Sequence, residues 1–143
     1  MPEIVDHLHA ARLADQFEAP PEPLEPAQRL GRLLVFFQPH GYAPLRVMGE
    51  ELTDMFAKEL APDDILLMPD PVYYGGTTNR EVGSAQIVAG VLSLNRAAEH
   101  LAERSACADR LVELARPGDR IVVMGARDDT LTQFAEGLLE RLS

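Results

Sequence analysis

Three runs of consecutive apolar residues stand out along the chain and predict buried strands. They lie at residues 32–37, 65–68 and 121–124, and each contains at least four apolar side chains in a row. Such unbroken runs are typical of parallel strands covered on both faces, because neither face then meets water. Residues 96–100 predict a fourth, short strand, although their pattern also fits a helix.

Elsewhere, apolar residues recur every three or four positions, which predicts amphipathic helices. These helices are expected over residues 5–17, 45–60, 84–92, 105–115 and 131–142, with Ser84 as the N-cap of the third. The stretch 18–27 contains four prolines and predicts an irregular loop. Strands that alternate with helices indicate an α/β fold: a single doubly wound, mainly parallel, Rossmann-like sheet flanked by helices, with residues 1–143 as one domain.

Composition narrows the classes of protein that this fold could represent. The chain has 143 residues, about one domain, with 13 Lys and Arg against 23 Asp and Glu. An acidic balance of −10 argues against a nucleic-acid partner, which would require a basic patch. We expect a cytoplasmic protein without a membrane partner, because no secretory signal and no apolar run of about 20 residues is visible. Cys107 is the only cysteine and is expected in the core.

Polar residues collect where the predicted strands end. If the strands are parallel, the loops 38–45, 70–83 and 125–129 meet at one edge of the sheet, where ligands of open α/β sheets bind. Arginine and histidine at this edge predict an anion site, since the planar arginine fork suits carboxylate or phosphate. The alternative is that these cations pair with four acidic residues of the same loops. Those residues are Asp70, Glu81, Asp128 and Asp129.

Known catalytic motifs are absent from the sequence. It contains no P-loop, no G-x-G-x-x-G fingerprint and no G-x-S-x-G elbow, so a self-sufficient ATP-using enzyme is not expected. No metal site is predicted either, because His7 and His9 would point in different directions on a helix. Gly125-Ala126-Arg127 has the position of a phosphate cradle, but Asp128 and Asp129 follow it and favour helix capping.

Four segments of the chain form a recognisable set. The most specific is Phe37-Gln38-Pro39-His40-x-Tyr42 at the end of the first apolar run. The others are Tyr73-Tyr74-Gly75-Gly76-Thr77, Pro117-Gly118-Asp119 and Val122-Val123-Met124-Gly125-Ala126. In their order and spacing these segments resemble the C-terminal domain of the Mur ligase family, of the type that joins alanine to UDP-N-acetylmuramate.

The resemblance implies a role in an ATP- and Mg²⁺-dependent, ADP-forming amide ligase of peptidoglycan synthesis. In this family a carboxylate is phosphorylated and the amine of an amino acid or peptide attacks the acyl phosphate. A separate central domain carries the P-loop, and the C-terminal domain closes over it. We therefore expect a central P-loop domain, a UDP-muramyl substrate and an amino acid or peptide as partners. ATP and Mg²⁺ are expected only in the full-length ligase, and the isolated chain is expected to be inactive.

Within that role, no residue of this chain is assigned to catalysis. The candidate substrate-binding residues are His40, Tyr42, Arg46, Tyr74, Thr77, Arg80 and Arg127. The candidate cofactor-binding residues are Asp70, Gly75 and Gly76.

The sequence departs from the family motif at two arginines. Alanine-adding members have His-Arg-Tyr-Ser-Arg where this chain has His40-Gly41-Tyr42-Ala43-Pro44, and Arg46 is the available substitute. The family's Asp-Asp-x-Ala-His-like run is matched only loosely by Val5-Asp6-His7-Leu8-His9-Ala10. A non-catalytic module that binds a small anion or a partner protein is the alternative. A small hydrolase or phosphatase is disfavoured, because no nucleophile–base pair is recognisable.

Overall fold

The computed structural model describes residues 3–6, 31–72, 80–126 and 128–143. In these ranges the chain forms five strands: β1 (Glu3–Asp6), β2 (Leu33–Gln38), β3 (Ile65–Met68), β4 (Ala97–His100) and β5 (Arg120–Gly125). The same ranges contain four helices: α1 (Tyr42–Glu59), α2 (Ser84–Ser93), α3 (Arg104–Leu114) and α4 (Thr130–Leu142).

The strands pair in the order β1-β5-β2-β3-β4, and every pair is parallel. The central strand β2 lies between β5 and β3, with Leu34 opposite both Ile121 and Ile65. This position explains why β2 is apolar throughout its first five residues, since helices cover both of its faces.

Successive residues of β2 enter two separate hydrophobic cores, as the alternation of a strand requires. Leu34 and Phe36 face α3 and α4, and together they form one core with side chains of β5. Val35 faces the opposite way, into a core with α1 and α2. The sheet is therefore doubly wound, which confirms the predicted fold class.

Buried polar contacts fix the amino-terminal edge of the sheet. Asp64 is 1 % exposed and accepts hydrogen bonds from the backbone N–H groups of Leu33 at 2.7 Å and Ala61 at 2.8 Å. At the same edge Gly31 passes so close to Gly118 that a Cβ at Gly31 would lie 2.0 Å from the Gly118 carbonyl oxygen. Only glycine therefore fits at position 31 without a shift of the backbone.

The predicted helix over 5–17 is wrong at its start, because Val5 and Asp6 belong to β1. Val5 lies opposite Val122 of β5, and this pairing with a distant strand determines its conformation. Residues 7–17 and the proline-rich loop 18–27 lie outside the described residues. The weak fourth strand is confirmed as β4.

The predicted N-cap at Ser84 is also wrong. Gly83 is the N-cap of α2, and its N–H donates to Oε1 of Gln86 at 2.8 Å. Ser84 is instead the first helical residue, and its hydroxyl donates to the carbonyl of Pro69 at 2.5 Å. The helix predicted at 45–60 begins earlier, at Tyr42, because Pro44 is tolerated within a first turn whose N–H groups have no helical partner.

No helix within the described residues is long and apolar enough to cross a bilayer.

Candidate functional site

The crevice between β2 and β5 is the natural ligand position in this fold. The chain leaves β2 through α1 on one face of the sheet and leaves β5 through α4 on the other face. Adjacent parallel strands whose connections depart to opposite faces open a crevice at their carboxyl ends. Gln38 and Gly125 lie opposite each other at the carboxyl ends of these two strands.

Gln38 is buried, and both ends of its side-chain amide are bonded. Its Oε1 accepts from Arg104 Nε at 3.2 Å and from Nη2 at 3.0 Å. Its Nε2 donates to the carbonyl of Pro39 at 3.0 Å and to the carbonyl of Asp70 at 3.1 Å. The amide therefore links the loops after β2 and β3 to the first residue of α3.

Arg104 continues this network to the start of α4. Its Nη2 donates to Asp128 at 2.6 Å, its Nη1 donates to the Thr130 hydroxyl at 2.7 Å, and its guanidinium carbon lies 5.8 Å from the centre of the Phe134 ring. Partial burial acts to raise the pKa of the Asp128 carboxyl. Hydrogen bonds from Thr130 and Arg104 outweigh that effect and hold the pKa below its ordinary value.

The N-terminal end of α4 is capped by a carboxylate, as the sequence predicted. Asp128 Oδ1 accepts from the N–H of Thr130 at 3.0 Å and also from the Thr130 hydroxyl. Asp129, the second predicted capping residue, occupies the N-cap position but makes no capping hydrogen bond through its side chain. A phosphate at this helix end would meet the negative charge of Asp128, so the turn does not fit a nucleotide phosphate.

The structure brings two of the predicted loops side by side. The N–H of Val72 donates to the carbonyl of Pro39 at 3.3 Å, which places the segment after β3 against the segment that carries His40. His40 is half-buried, two residues beyond Gln38. Tyr42 is the first residue of α1 and is half-buried beside Gly83, whose added Cβ would lie 3.5 Å from the tyrosine ring.

The remaining described candidates are more exposed. Arg46 is exposed on the second turn of α1, and Arg80 is exposed before α2. Asp70 is 46 % exposed, and its carboxylate lies 2.6 Å from Nε2 of His100. Tyr74, Gly75, Gly76, Thr77 and Arg127 lie outside the described residues and remain predictions.

Two of the four acids suggested as arginine partners contact residues that the sequence analysis did not select. Asp70 contacts His100, and Asp128 contacts Arg104. Both of these residues lie at the carboxyl end of β4: His100 is the last residue of this strand, and Arg104 is the first residue of the helix that follows it. The sequence signal was available: a fourth parallel strand must also end at this edge, which adds the loop 101–103 to the three loops considered.

ATP and Mg²⁺ are the cofactors that the sequence resemblance implies. Among the described residues, no group of three His, Cys, Asp or Glu side chains could hold a metal ion. The described residues therefore offer no three-ligand metal cluster, and the acidic cap disfavours a phosphate at the start of α4.

Comparison with known proteins points to one family. The chain is 32% identical over 113 residues to a UDP-N-acetylmuramate–L-alanine ligase of Geotalea uraniireducens. This alignment covers 78% of this chain and 23% of that protein. The chain is 33% identical over 115 residues to the enzyme of the same name from Rhizobium meliloti, covering 79% and 23%. A similar ligase from Thermobifida fusca is 28% identical over 141 residues, covering 98% of this chain and 27% of the relative. The chain thus spans about a quarter of the length of the curated relatives that it matches.

A solved structure supports the fold. A domain assigned to a UDP-N-acetylmuramate:L-alanyl-γ-D-glutamyl-meso-diaminopimelate ligase from Haemophilus ducreyi superposes with a TM-score of 0.51 and 16% identity. The match covers 98% of this chain and 90% of that domain. No family model matches the chain.

Proposed function

Because this chain belongs to the Mur ligase family, we propose that it acts as the C-terminal closing domain of an ATP-dependent amide ligase. That enzyme joins an amino acid or peptide to a UDP-muramyl substrate in peptidoglycan synthesis. The observation that carries the proposal is the place of the Phe37–Tyr42 motif. The motif begins in the last residues of β2 and continues beside the crevice between β2 and β5. Ligands of open α/β sheets bind in such a crevice.

The side chains near the motif offer donors suited to an anionic substrate group. His40 and Tyr42 are half-buried at the start of α1, and Arg46 is exposed one turn further along. An arginine can donate two parallel hydrogen bonds to a carboxylate, and a tyrosine hydroxyl can add a third. We assign these residues to holding and orienting the incoming amino acid or peptide.

The other half of the site belongs to a central P-loop domain in the same or a separate chain. ATP supplies the phosphoryl group that activates the substrate carboxylate in that domain. The sequence of this chain contains no P-loop. The 143-residue chain alone is therefore expected to show no ATP hydrolysis with Mg²⁺ and a muramyl substrate, and turnover under these conditions would contradict the division of labour.

The test of the substrate-binding residues uses a complete ligase that contains this domain. His40→Ala and Arg46→Ala should each lower kcat/KM by about tenfold or more, because each removes a protein side chain that donates a hydrogen bond to the substrate. Lys58→Ala is the matched control, since Lys58 is an exposed cation at the opposite end of α1. All three variants should keep the unfolding midpoint of the parent enzyme. If both His40→Ala and Arg46→Ala turned over substrate at the rate of the parent enzyme, the substrate would have to bind elsewhere.

The second candidate function is a non-catalytic module that binds a small anion or a partner protein. It is favoured by the residues at the two motif arginine positions, which are Gly41 and Pro44 here. The genome distinguishes the candidates: a fused or adjacent reading frame with a P-loop supports the ligase. An isolated gene far from cell-wall genes supports the binding module.

A further inference from the structure

We propose that Arg104 is a positioning residue for the carboxyl edge of the sheet. Through Gln38 it holds the segment that carries His40 and the segment that carries Asp70 in fixed relative places. Arg104 lies on α3, which packs on the face of the sheet opposite to α1. A residue on one face of the sheet would thus hold loops that lead to the helices of the other face.

We call the hydrogen bonds that run from Arg104 through Gln38 to the two loops the relay. Its first step is the pair of hydrogen bonds between Arg104 and Gln38. Two guanidinium nitrogens donate to the single oxygen Oε1, at 3.2 and 3.0 Å. Because a guanidinium group can only donate, the amide oxygen must face Arg104 and the amide nitrogen must face away from it. Arg104 therefore selects one of the two orientations of the amide.

The second step is the contact between that amide nitrogen and the two loops. Nε2 has two hydrogens, and these serve the carbonyls of Pro39 and Asp70. The Pro39 carbonyl also accepts from the N–H of Val72, so the two segments are bonded to each other as well as to Gln38. Gln38 is 4 % exposed, and water is therefore a poor substitute for either partner.

The third step is the anchorage of Arg104 itself. Asp128 accepts from Nη2, which thus donates to Gln38 and to Asp128, and the Thr130 hydroxyl accepts from Nη1. The Phe134 ring lies beneath the guanidinium. These contacts come from α4 and the turn before it, and they restrain the orientation of the Arg104 guanidinium group. Lysine could keep the charge but could not provide the two directed donors.

The loop-holding part of this proposal stands on the contacts alone. Its importance for turnover rests on the proposed ligase function. The experiment therefore has two arms, and the first requires no substrate.

The first arm measures amide hydrogen exchange and side-chain NMR signals in the 143-residue chain. Arg104→Met should raise the exchange rate of the Val72 amide at least tenfold and shift the Gln38 side-chain NH₂ resonances. Core amides such as that of Val123 should keep their protection. Arg110→Met is the matched control: Arg110 lies on the same helix and binds Glu99 through two nitrogens, at 2.8 and 3.1 Å. It should leave the Val72 amide and the Gln38 signals unchanged.

Gln38→Glu isolates the relay from the other contacts of Arg104. A carboxylate can still accept from Arg104, but it cannot donate to the carbonyls of Pro39 and Asp70. This variant should therefore also raise Val72 exchange at least tenfold. Unchanged Val72 exchange in either Arg104→Met or Gln38→Glu would overturn the proposal, as would an equal increase in Arg110→Met.

The second arm measures steady-state kinetics in a complete ligase that contains this domain. Arg104→Met should raise KM for the incoming amino acid or peptide at least fivefold, while Arg110→Met should not change it. An unchanged KM together with a loosened loop would refute the use of this edge in turnover and leave the positioning of the loops intact. The failure of the proposed function is thus distinguishable from the failure of the relay.

Discussion

The replacement of Phe36 by alanine is a direct test of the core on the α3–α4 face. Phe36 is fully buried at the centre of β2, and its ring stacks on that of Phe134, with 4.4 Å between ring centres and 28° between planes. Its neighbours come from β5, α3 and α4, so the cavity left by alanine would be enclosed on every side.

The expected loss follows from burial and from the ring pair. A buried Phe→Ala substitution costs about 3–5 kcal/mol in the free energy of unfolding, because the lost transfer energy adds to the cost of a cavity. Of this, about 0.5–1.5 kcal/mol belongs to the aromatic pair and should appear as the coupling energy of a cycle with Phe134→Ala. Phe36→Leu retains most of the volume and should cost about half as much as Phe36→Ala or less.

Urea unfolding monitored by circular dichroism measures these losses. The urea midpoint should fall with the m-value unchanged, which would mean that stability rather than compactness has changed. Leu139→Ala is the matched control on α4, since Leu139 is 51 % exposed and should change stability by no more than about 0.5 kcal/mol. A loss below about 1.5 kcal/mol in Phe36→Ala would refute the enclosed packing of this residue.

Two further predictions concern the titratable groups of the α3–α4 face. The pKa of Asp128 lies below its ordinary value of 3.8, so its charged form stabilises the fold above about pH 4 and this contribution disappears as the pH falls further. Asp128→Asn should therefore cost about 1–2 kcal/mol at neutral pH. Urea titrations should show the difference from the parent protein shrinking toward pH 3, and a constant difference would contradict the assignment. Burial, assisted by the charge of Glu99, raises the pKa of the Cys107 thiol to about 12. Iodoacetamide at pH 8 should consequently label Cys107 only after unfolding, as followed by mass spectrometry, and rapid labelling of the folded chain would show that the thiol is accessible.

The sequence predicted the parts of the fold whose signal is local. The runs of β2, β3 and β5 are recognisable because strands covered on both faces must be apolar at every position. The five consecutive apolar residues of β2 predicted a strand covered on both faces and the edge where its motif would lie. The short β4 gave a weaker signal, since Glu99 and His100 interrupt its apolar pattern at the border of the sheet.

For the candidate site, the sequence determined the motif and the edge, but not the contacts made there. It placed His40, Tyr42 and Asp70 after parallel strands, and the hydrogen bond from Val72 to Pro39 shows that the loops after β2 and β3 meet. It did not predict that Asp70 contacts His100 or that Gln38 is bonded to Arg104, 66 positions further along the chain.

The sequence by itself determined which segments are apolar, how they alternate and where their polar ends lie, because these properties depend on neighbouring residues. The tertiary structure alone decided that residues 3–6 form a strand, in which order the strands pair, and that Arg104 reaches across to Gln38. Each of these depends on hydrogen bonds between distant parts of the chain. Periodicity does not encode such pairings, since they form only when the sheet and its helices come together.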